Sequence, residues 1–300
     1  MDIALKIDVD TYRGTLEGVP RLSQALATRS ISASFYFSLG PDHTGWALRR
    51  VFRPGFLQKV QRTSVVSHYG LQTLLYGVLL PGPHIARKAS HVLKSTAAAG
   101  HETGIHCYDH VYWQDNVATR DAVWTKQQVD RAAEAYLDVF QHPATSHCAA
   151  GWQVNPHLLA LEDSYRLSYA SDCRGTHPFL PVMGGYNGYC PQLPTTLPTL
   201  DELIGIDGNN ATSAVDRILA LSEATVGNTH VFTLHAELEG QQLLPEFLRL
   251  VDAWQSRGHR LVSLASVRQA LEISQLPRHE LTMGTLAGRS GTLALQGHKV

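Results

Sequence analysis

Ile3-Ala4-Leu5-Lys6-Ile7-Asp8-Val9-Asp10 is an apolar run that closes on two aspartates, and its reading decides the fold. Ile3–Val9 has the length and composition of a buried strand. A helix over Leu16–Thr28 follows, with Leu16, Val19, Leu22 and Leu26 at helical spacing, and Ser32–Phe37 (SASFYF) reads as a second strand. The alternation then continues almost to the end of the chain. Helices are predicted near Ile85–Ala98 and over Asp121–Phe140, Pro156–Ser164, Thr212–Ala224 and Gln241–Gln255. Between them fall strands at Glu102–His106, Ala144–Ala149, Leu167–Ser171, His230–His235 and Arg260–Ser263. Thr176–Asn210, rich in Pro and Gly, reads mostly as loop. There is no internal repeat. Strands that alternate with helices in this way form a parallel sheet or a barrel.

The chain has 300 residues, 44% of them hydrophobic and 17% charged. That is enough for one large α/β domain or two smaller ones, and it excludes disorder. Four cysteines (Cys107, Cys148, Cys173 and Cys190) form no CxxC pair, and MDIALKIDVD lacks the pattern of a signal peptide. Free thiols in a reducing cytosol are the expectation. No run approaches the roughly 18 apolar residues of a membrane span. The net charge of −1 conceals an asymmetry. From His43 to His101 there is no Asp or Glu but eight Lys and Arg residues, which leaves 17 basic against 26 acidic residues elsewhere.

The polar residues gather at the predicted strand ends. Asp8 and Asp10 close the first strand, His106 and His110 end and follow the third, Asp172 and Arg174 follow Leu167–Ser171, and His235 ends VFTLH. In βα barrels the C-terminal strand ends share one face, and that face carries the chemistry. Within GHETGIHCYDHVYW, Gly100–Trp113, the pair His101-Glu102 and His106 is one residue too widely spaced for His-Glu-x-x-His. On a helix such histidines would point about 140° apart. His106 and His110, four apart, suit a common ligand.

Asp8-Val9-Asp10 alternates along a strand end, so both carboxylates can face one way. One of them could bind a metal while the other takes a proton from water. A carboxylate with two imidazoles is a common ligand set for catalytic Zn, Mn, Co or Fe, and such an ion acidifies water and polarises a carbonyl oxygen. Loss of an amine needs an acid, and His235 is the candidate donor. Each residue also has a plainer reading. Asp-x-Asp often caps a helix or turn, and a histidine that ends an apolar strand is usually structural. Cys107 is expected to face away from the two histidines, and Asp109 to hold a turn or an outer hydrogen bond. Four separate segments that deliver ionisable groups to one face outweigh these readings jointly.

The order of these motifs resembles the polysaccharide deacetylases of the NodB-homology group: Asp-x-Asp after strand one, His-x-x-x-His after strand three, Leu-His on a late strand. The phrases KIDVDTYRGTLEGVPRL, AAGWQVN, SYASDCRG, LPTTLPTLDELIG and TLHAELEG, spread over nearly the whole chain, narrow the resemblance. They point to a branch that deformylates an undecaprenyl-phosphate-linked 4-deoxy-4-formamido-L-arabinose. The resemblance implies a distorted (β/α)7 barrel, one domain over 1–300 with an insertion at about 43–100. It also implies a divalent metal (Zn, Mn or Co) on Asp10, His106 and His110, with Asp8 as general base and His235 as general acid. Two departures stand out. The family pattern has adjacent aspartates, where Val9 here intervenes. It also has an Arg that steadies the base in its third motif, and His147-Cys148-Ala149-Ala150-Gly151 offers none. Arg174 is the expected replacement, and Asp172 the expected partner that tunes His235.

The acid-free interval contains WALRRVFRPGFLQKV and GLQTLLYGVLLPG. Alternating apolar and cationic residues suit a position in a membrane interface, with cations toward anionic headgroups. A peripheral location on the cytoplasmic face of the inner membrane follows as an expectation. No nucleic-acid motif accompanies the basic patch, and nucleic acid is not an expected partner. The alternatives are an N-deacetylase of another acetamido-sugar and a glycolipid-binding module with an inactive site.

Overall fold

The computed structural model describes residues 1–47, 70–224 and 229–300. Eleven strands are present among them. They are β1 (Asp2–Val9), β2 (Ser34–Ser38), β3 (Glu102–Cys107), β4 (Ser146–His147), β5 (Tyr169–Ala170), β6 (Leu180–Met183), β7 (Tyr186–Asn187), β8 (Thr229–His235), β9 (Arg260–Val262), β10 (Arg278–Gly284) and β11 (Leu293–Lys299). Seven of them form one parallel sheet in the order β5-β4-β3-β2-β1-β8, with β9 also on β1. Because β8 runs along the whole of β1, β2 and β9 share its other edge. β9 takes Asp2–Ala4 and β2 takes Lys6–Val9.

Parallel neighbours need crossover connections, and the helices between strands supply them. Their apolar stripes cover the outer face of the sheet. Ile3, Leu5, Ile7 and Val9 of β1 pack outward in one core with Val19, Leu22 and Leu26 of the first helix, and with Phe247 and Trp254 of the helix Leu244–Ser256. The alternate residues face inward. Ala4 joins Tyr36, Tyr169, Leu193 and Val231 in an inner cluster. There the Tyr36 and Tyr169 hydroxyls lie 2.7 Å apart, and Tyr169 donates to Glu102 Oε1 at 2.5 Å. This plug closes the barrel floor. Above it on the same face of β1 come Lys6 and then Asp8.

The predicted strand and helix order holds, with differences at the edges. The first helix opens as a π-turn over Gly14–Gly18 before the α-helix Val19–Ala27. A Cβ on Gly18 would run into the carbonyl of Ala236, so this turn needs glycine to lie so close to the end of β8. The helix expected near Ile85–Ala98 breaks at Ala89 into Ile85–Lys88 and Ser90–Ala98. Thr176–Asn210 is not merely loop. It contains β6, β7 and the helix Leu200–Leu203, and its segment 191–197 bridges the gap between β5 and β8. Leu193 N donates to Ala170 O at 2.8 Å on one side, and Thr196 N to Val231 O at 3.1 Å on the other. The prolines in this segment deny it a regular ladder, which is why its sequence reads as loop. β10 and β11 join β6 and β7 in a second, four-stranded sheet that no periodicity announced.

Arg49, Arg50 and Arg53, with most of WALRRVFRPGFLQKV, fall in 48–69, outside the described residues. The second half of the basic interval is described. After the helix Leu71–Leu75 the chain turns back, Gly77 N donating to Leu80 O at 2.8 Å. The tip exposes three consecutive apolar side chains, Val78, Leu79 and Leu80, at 52%, 75% and 38%. Trp46 clamps the turn by donating Nε1–H to Gly77 O at 2.7 Å.

Candidate metal and catalytic site

The last inward residues of β1 and β3 meet over the barrel. His106 lies 3.2 Å from Asp10 Oδ1 through Nε2, and His110 Nε2 lies 3.4 Å from Asp10 Oδ2. The three ligand atoms fall within 4.8 Å of one another, and the two imidazoles stack with centroids 5.3 Å apart. Burial opposes ionisation of Asp10, but the imidazoles of His110 and His106 outweigh it and hold its carboxyl below the usual range. Asp10 Oδ1 is buried without a hydrogen-bond partner. A buried carboxylate whose two oxygens each face an imidazole nitrogen, one oxygen without a hydrogen-bond partner, is an O/N donor set that fits a divalent cation.

The outer contacts fit the same purpose. His106 donates Nδ1–H to Cys148 O at 2.7 Å, which leaves Nε2 as the ligand atom. His110 begins the helix His110–Asn116, and Asp109 caps it by accepting from Tyr112 N at 3.0 Å. The other Asp109 oxygen meets His43 Nδ1 at 2.5 Å, and His43 stacks on Trp46 at 3.9 Å. Cys107 points outward against Trp113 and Val117, and it is not part of the Asp10, His106 and His110 group. His101 is structural. It packs on Phe35 and takes Ala33 N–H on Nδ1.

Asp8 and His235 are register partners on adjacent strands. Parallel strands in register project paired side chains to one face, so carboxylate and imidazole flank the ligand group from the same wall. Asp8 Oδ1 accepts from the Cys148 thiol at 3.3 Å, and Oδ2 lies 3.7 Å from Lys6 Nζ. Burial opposes the charge of Lys6, but Asp8 and its other acidic neighbours raise its pKa overall.

Asp172 and Arg174 are not brought to this group. Arg174 forks onto Glu202 at 2.5 and 2.8 Å and donates to Leu197 O, because the chain leaves the sheet after β5 and carries it toward the helix Leu200–Leu203. Asp172 lies on the far side of the barrel wall. It accepts from Ala149 N at 2.6 Å, meets His147 Nδ1 at 2.9 Å and takes a bond from Gln192. Two acidic residues after β8 are closer to the site. Glu237 Oε1 accepts from Asp10 N, Thr11 N and Thr11 Oγ1 at 3.0, 2.8 and 2.8 Å, which ties the Asp10 loop to β8. Glu239 Oε2 accepts from His235 N at 2.8 Å, and burial pushes its carboxyl up to about 7. Both sit in TLHAELEG, whose acidic spacing behind a strand-end histidine was the available signal.

No family model matches the chain. A protein of Shewanella sediminis named as 4-deoxy-4-formamido-L-arabinose-phosphoundecaprenol deformylase ArnD is 34% identical over 298 residues, 99% of this chain and 95% of its own. A namesake from Wigglesworthia glossinidia brevipalpis is 31% identical over 284 residues, 94% of this chain and 98% of its own. Among solved structures, a protein of Mycobacterium smegmatis named as a polysaccharide deacetylase superposes with a TM-score of 0.65 at 17% identity, covering 95% of this chain and 94% of that one. That likeness establishes the NodB-type fold. With near full-length identity above 30% to two such proteins, the chain belongs to the ArnD deformylase family, hydrolases of an amide carbon–nitrogen bond.

Proposed function

We propose that this chain hydrolyses the formamide of an undecaprenyl-phosphate-linked 4-deoxy-4-formamido-L-arabinose to formate and the free 4-amino sugar. The convergence of Asp10, His106 and His110 between Asp8 and His235 carries the reading. A divalent ion held by Asp10, His106 and His110 would polarise the formyl oxygen and acidify water. Asp8, fixed at both oxygens, accepts the proton of the attacking water. His235 hands a proton to the departing nitrogen, which cannot leave as an amide anion.

The lipid-linked substrate is supported by the names of the two relatives and by an exposed apolar tip in the described part of the insertion. Among the described residues no helix is long and apolar enough to cross a membrane. The exposed Val78–Leu80 tip instead suits shallow insertion on the cytoplasmic side, in an interval whose charges are all positive. The tip is joined to the site: Gly77 binds Trp46, Trp46 stacks on His43, and His43 pairs with the Asp109 cap of the His110 helix. The amine so released would serve to lower the negative charge of lipid A, and with it sensitivity to cationic peptides.

Formate release from a synthetic formamido-arabinosyl lipid phosphate tests the reading. Turnover abolished by chelation and restored by a divalent metal is the expected result. Faster acetate release from the acetamido analogue would reassign the substrate, since one methyl is worth only about 1–3 kcal/mol of pocket preference.

A further inference from the structure

The base carboxylate lacks the arginine that the resemblance leads one to expect, and Arg174 is engaged elsewhere. We propose that Lys6 is the positioning residue for Asp8. The inference rests on the hydrolytic reading above and adds a residue to it. Lys6 and Asp8 are two apart on β1, so both enter the barrel on one face. Lys6 is fully buried, and Asp8 is 4% exposed. Lys6 Nζ stands 3.7 Å from Asp8 Oδ2, donates to Ser171 O at 2.9 Å and lies 5.2 Å from the centroid of Trp152. Among the described residues it is the only cation from Lys or Arg within ion-pair distance of Asp8.

Burying an ammonium costs several kcal/mol unless a partner offsets it. A strand that needed only to fill the barrel would place an apolar side chain here, as it does with Ala4 one step below. Lys6 therefore has a local task, and its geometry defines the task. Nζ holds Oδ2 of Asp8 while the Cys148 thiol holds Oδ1, so the plane of the carboxylate is fixed. Each oxygen keeps a further lone pair for a proton from water. Lys6, Asp8 and Asp10 thus form one ionic face of a single strand: the group that orients, the group that accepts the proton, and the ligand. The missing third-motif arginine is then met from within β1, whose own lysine supplies the cation.

A double-mutant cycle tests this on the formamido-arabinosyl lipid phosphate, with metal content measured in every variant. Lys6→Met should keep its metal and lose kcat by about 10²-fold, within the range of a misplaced base, with KM little changed. Lys6→Arg, which keeps the charge, should recover part of the loss. In an Asp8→Asn background, Lys6→Met should add less than about twofold, because a residue that acts through Asp8 has nothing left to act on. Multiplicative losses would show that Lys6 serves the fold alone and would overturn the proposal. So would wild-type kcat in Lys6→Met. If Lys6→Met does not fold, Lys6→Arg in the two backgrounds gives the same cycle. Wild-type rates in Asp8→Asn itself would overturn the hydrolytic roles as well, which separates the two failures.

Discussion

His106 and Cys148 are joined by a 2.7 Å hydrogen bond from imidazole Nδ1 to the peptide carbonyl, and this one bond turns Nε2 toward Asp10. It links β3 to the turn after β4, whose next residue, Ala149, is itself held by Asp172 at 2.6 Å. The candidate ligand set is therefore oriented by backbone from a second strand, and a change in one of its members should not be absorbed by the others.

Asp10→Ala, His106→Ala and His110→Ala are expected to lower metal content and activity together, since each removes one of three converging protein ligands. Elemental analysis of purified protein, before and after dialysis against chelator, reads this directly. Full occupancy in all three variants would sink the assignment.

Asp8→Asn and His235→Ala should behave in the opposite way. Both should retain metal and lose turnover by about 10²–10⁴-fold, the usual weight of a placed base or acid, and each should remove a different limb of the pH–rate profile. Near wild-type hydrolysis by both would dismiss the two roles.

Glu237 carries three donors from the Asp10 loop on one oxygen, and a Cβ on Gly14 would collide with that oxygen. Gly14→Ala should therefore cost about 1–3 kcal/mol, as overpacking does, and also weaken metal binding, because Asp10 N loses its acceptor. Urea unfolding and metal titration measure the two effects. A stable variant with intact metal affinity would show that the loop has another way to settle.

Glu239 gives a pH signature. Its carboxyl is buried, and its pKa rises from an ordinary 4.5 to about 7 in the fold. The folded state binds this proton more tightly than the unfolded chain does. The group's contribution to stability is thus fully present below about pH 4.5, lost as pH rises to about 7, and absent above. Relative to Glu239→Gln, the parent should lose stability between pH 5 and 7, by at most about 1.4 kcal/mol per pH unit, and then run level. A difference that grows with pH would contradict this environment for Glu239.

Strand one and the closeness of His106 to His110 are legible because strand period and motif spacing act over a few residues. Ile3-Leu5-Ile7-Val9 outward against Ala4-Lys6-Asp8 inward is a period-2 pattern with chemistry on one face. What holds Asp8 was harder to read. Nothing in the sequence of strand one marks Lys6 for a task, and only the closed barrel shows that no solvent reaches it. Arg174 and Asp172 lie at the right strand end, but short range says nothing of which side of the wall each takes. The segment 191–197 closes the barrel through isolated bonds to Ala170 and Val231, and such pairing leaves no periodic trace.

The membrane reading makes the last prediction, and it depends on two forces that can be separated. Cations near an anionic surface contribute about 1 kcal/mol each and fade with salt. Apolar side chains inserted below the headgroups contribute independently of salt. Val78, Leu79 and Leu80 are the described candidates for insertion, with Leu79 the most exposed at 75%. Arg49, Arg50 and Arg53 supply charge from the same interval of sequence. Binding to vesicles should need anionic lipid and should weaken, without vanishing, as ionic strength rises. Replacing the three arginines by Glu should remove the salt-dependent part, and Leu79→Glu the residual part. Both changes should depress activity on the full-length lipid substrate. A short-chain soluble analogue should turn over almost as before, because Asp8, Asp10, His106, His110 and His235 come from other segments. Equal losses on both substrates would place the interval in the wall of the active site, and the excess of positive charge would then need a cause other than the membrane.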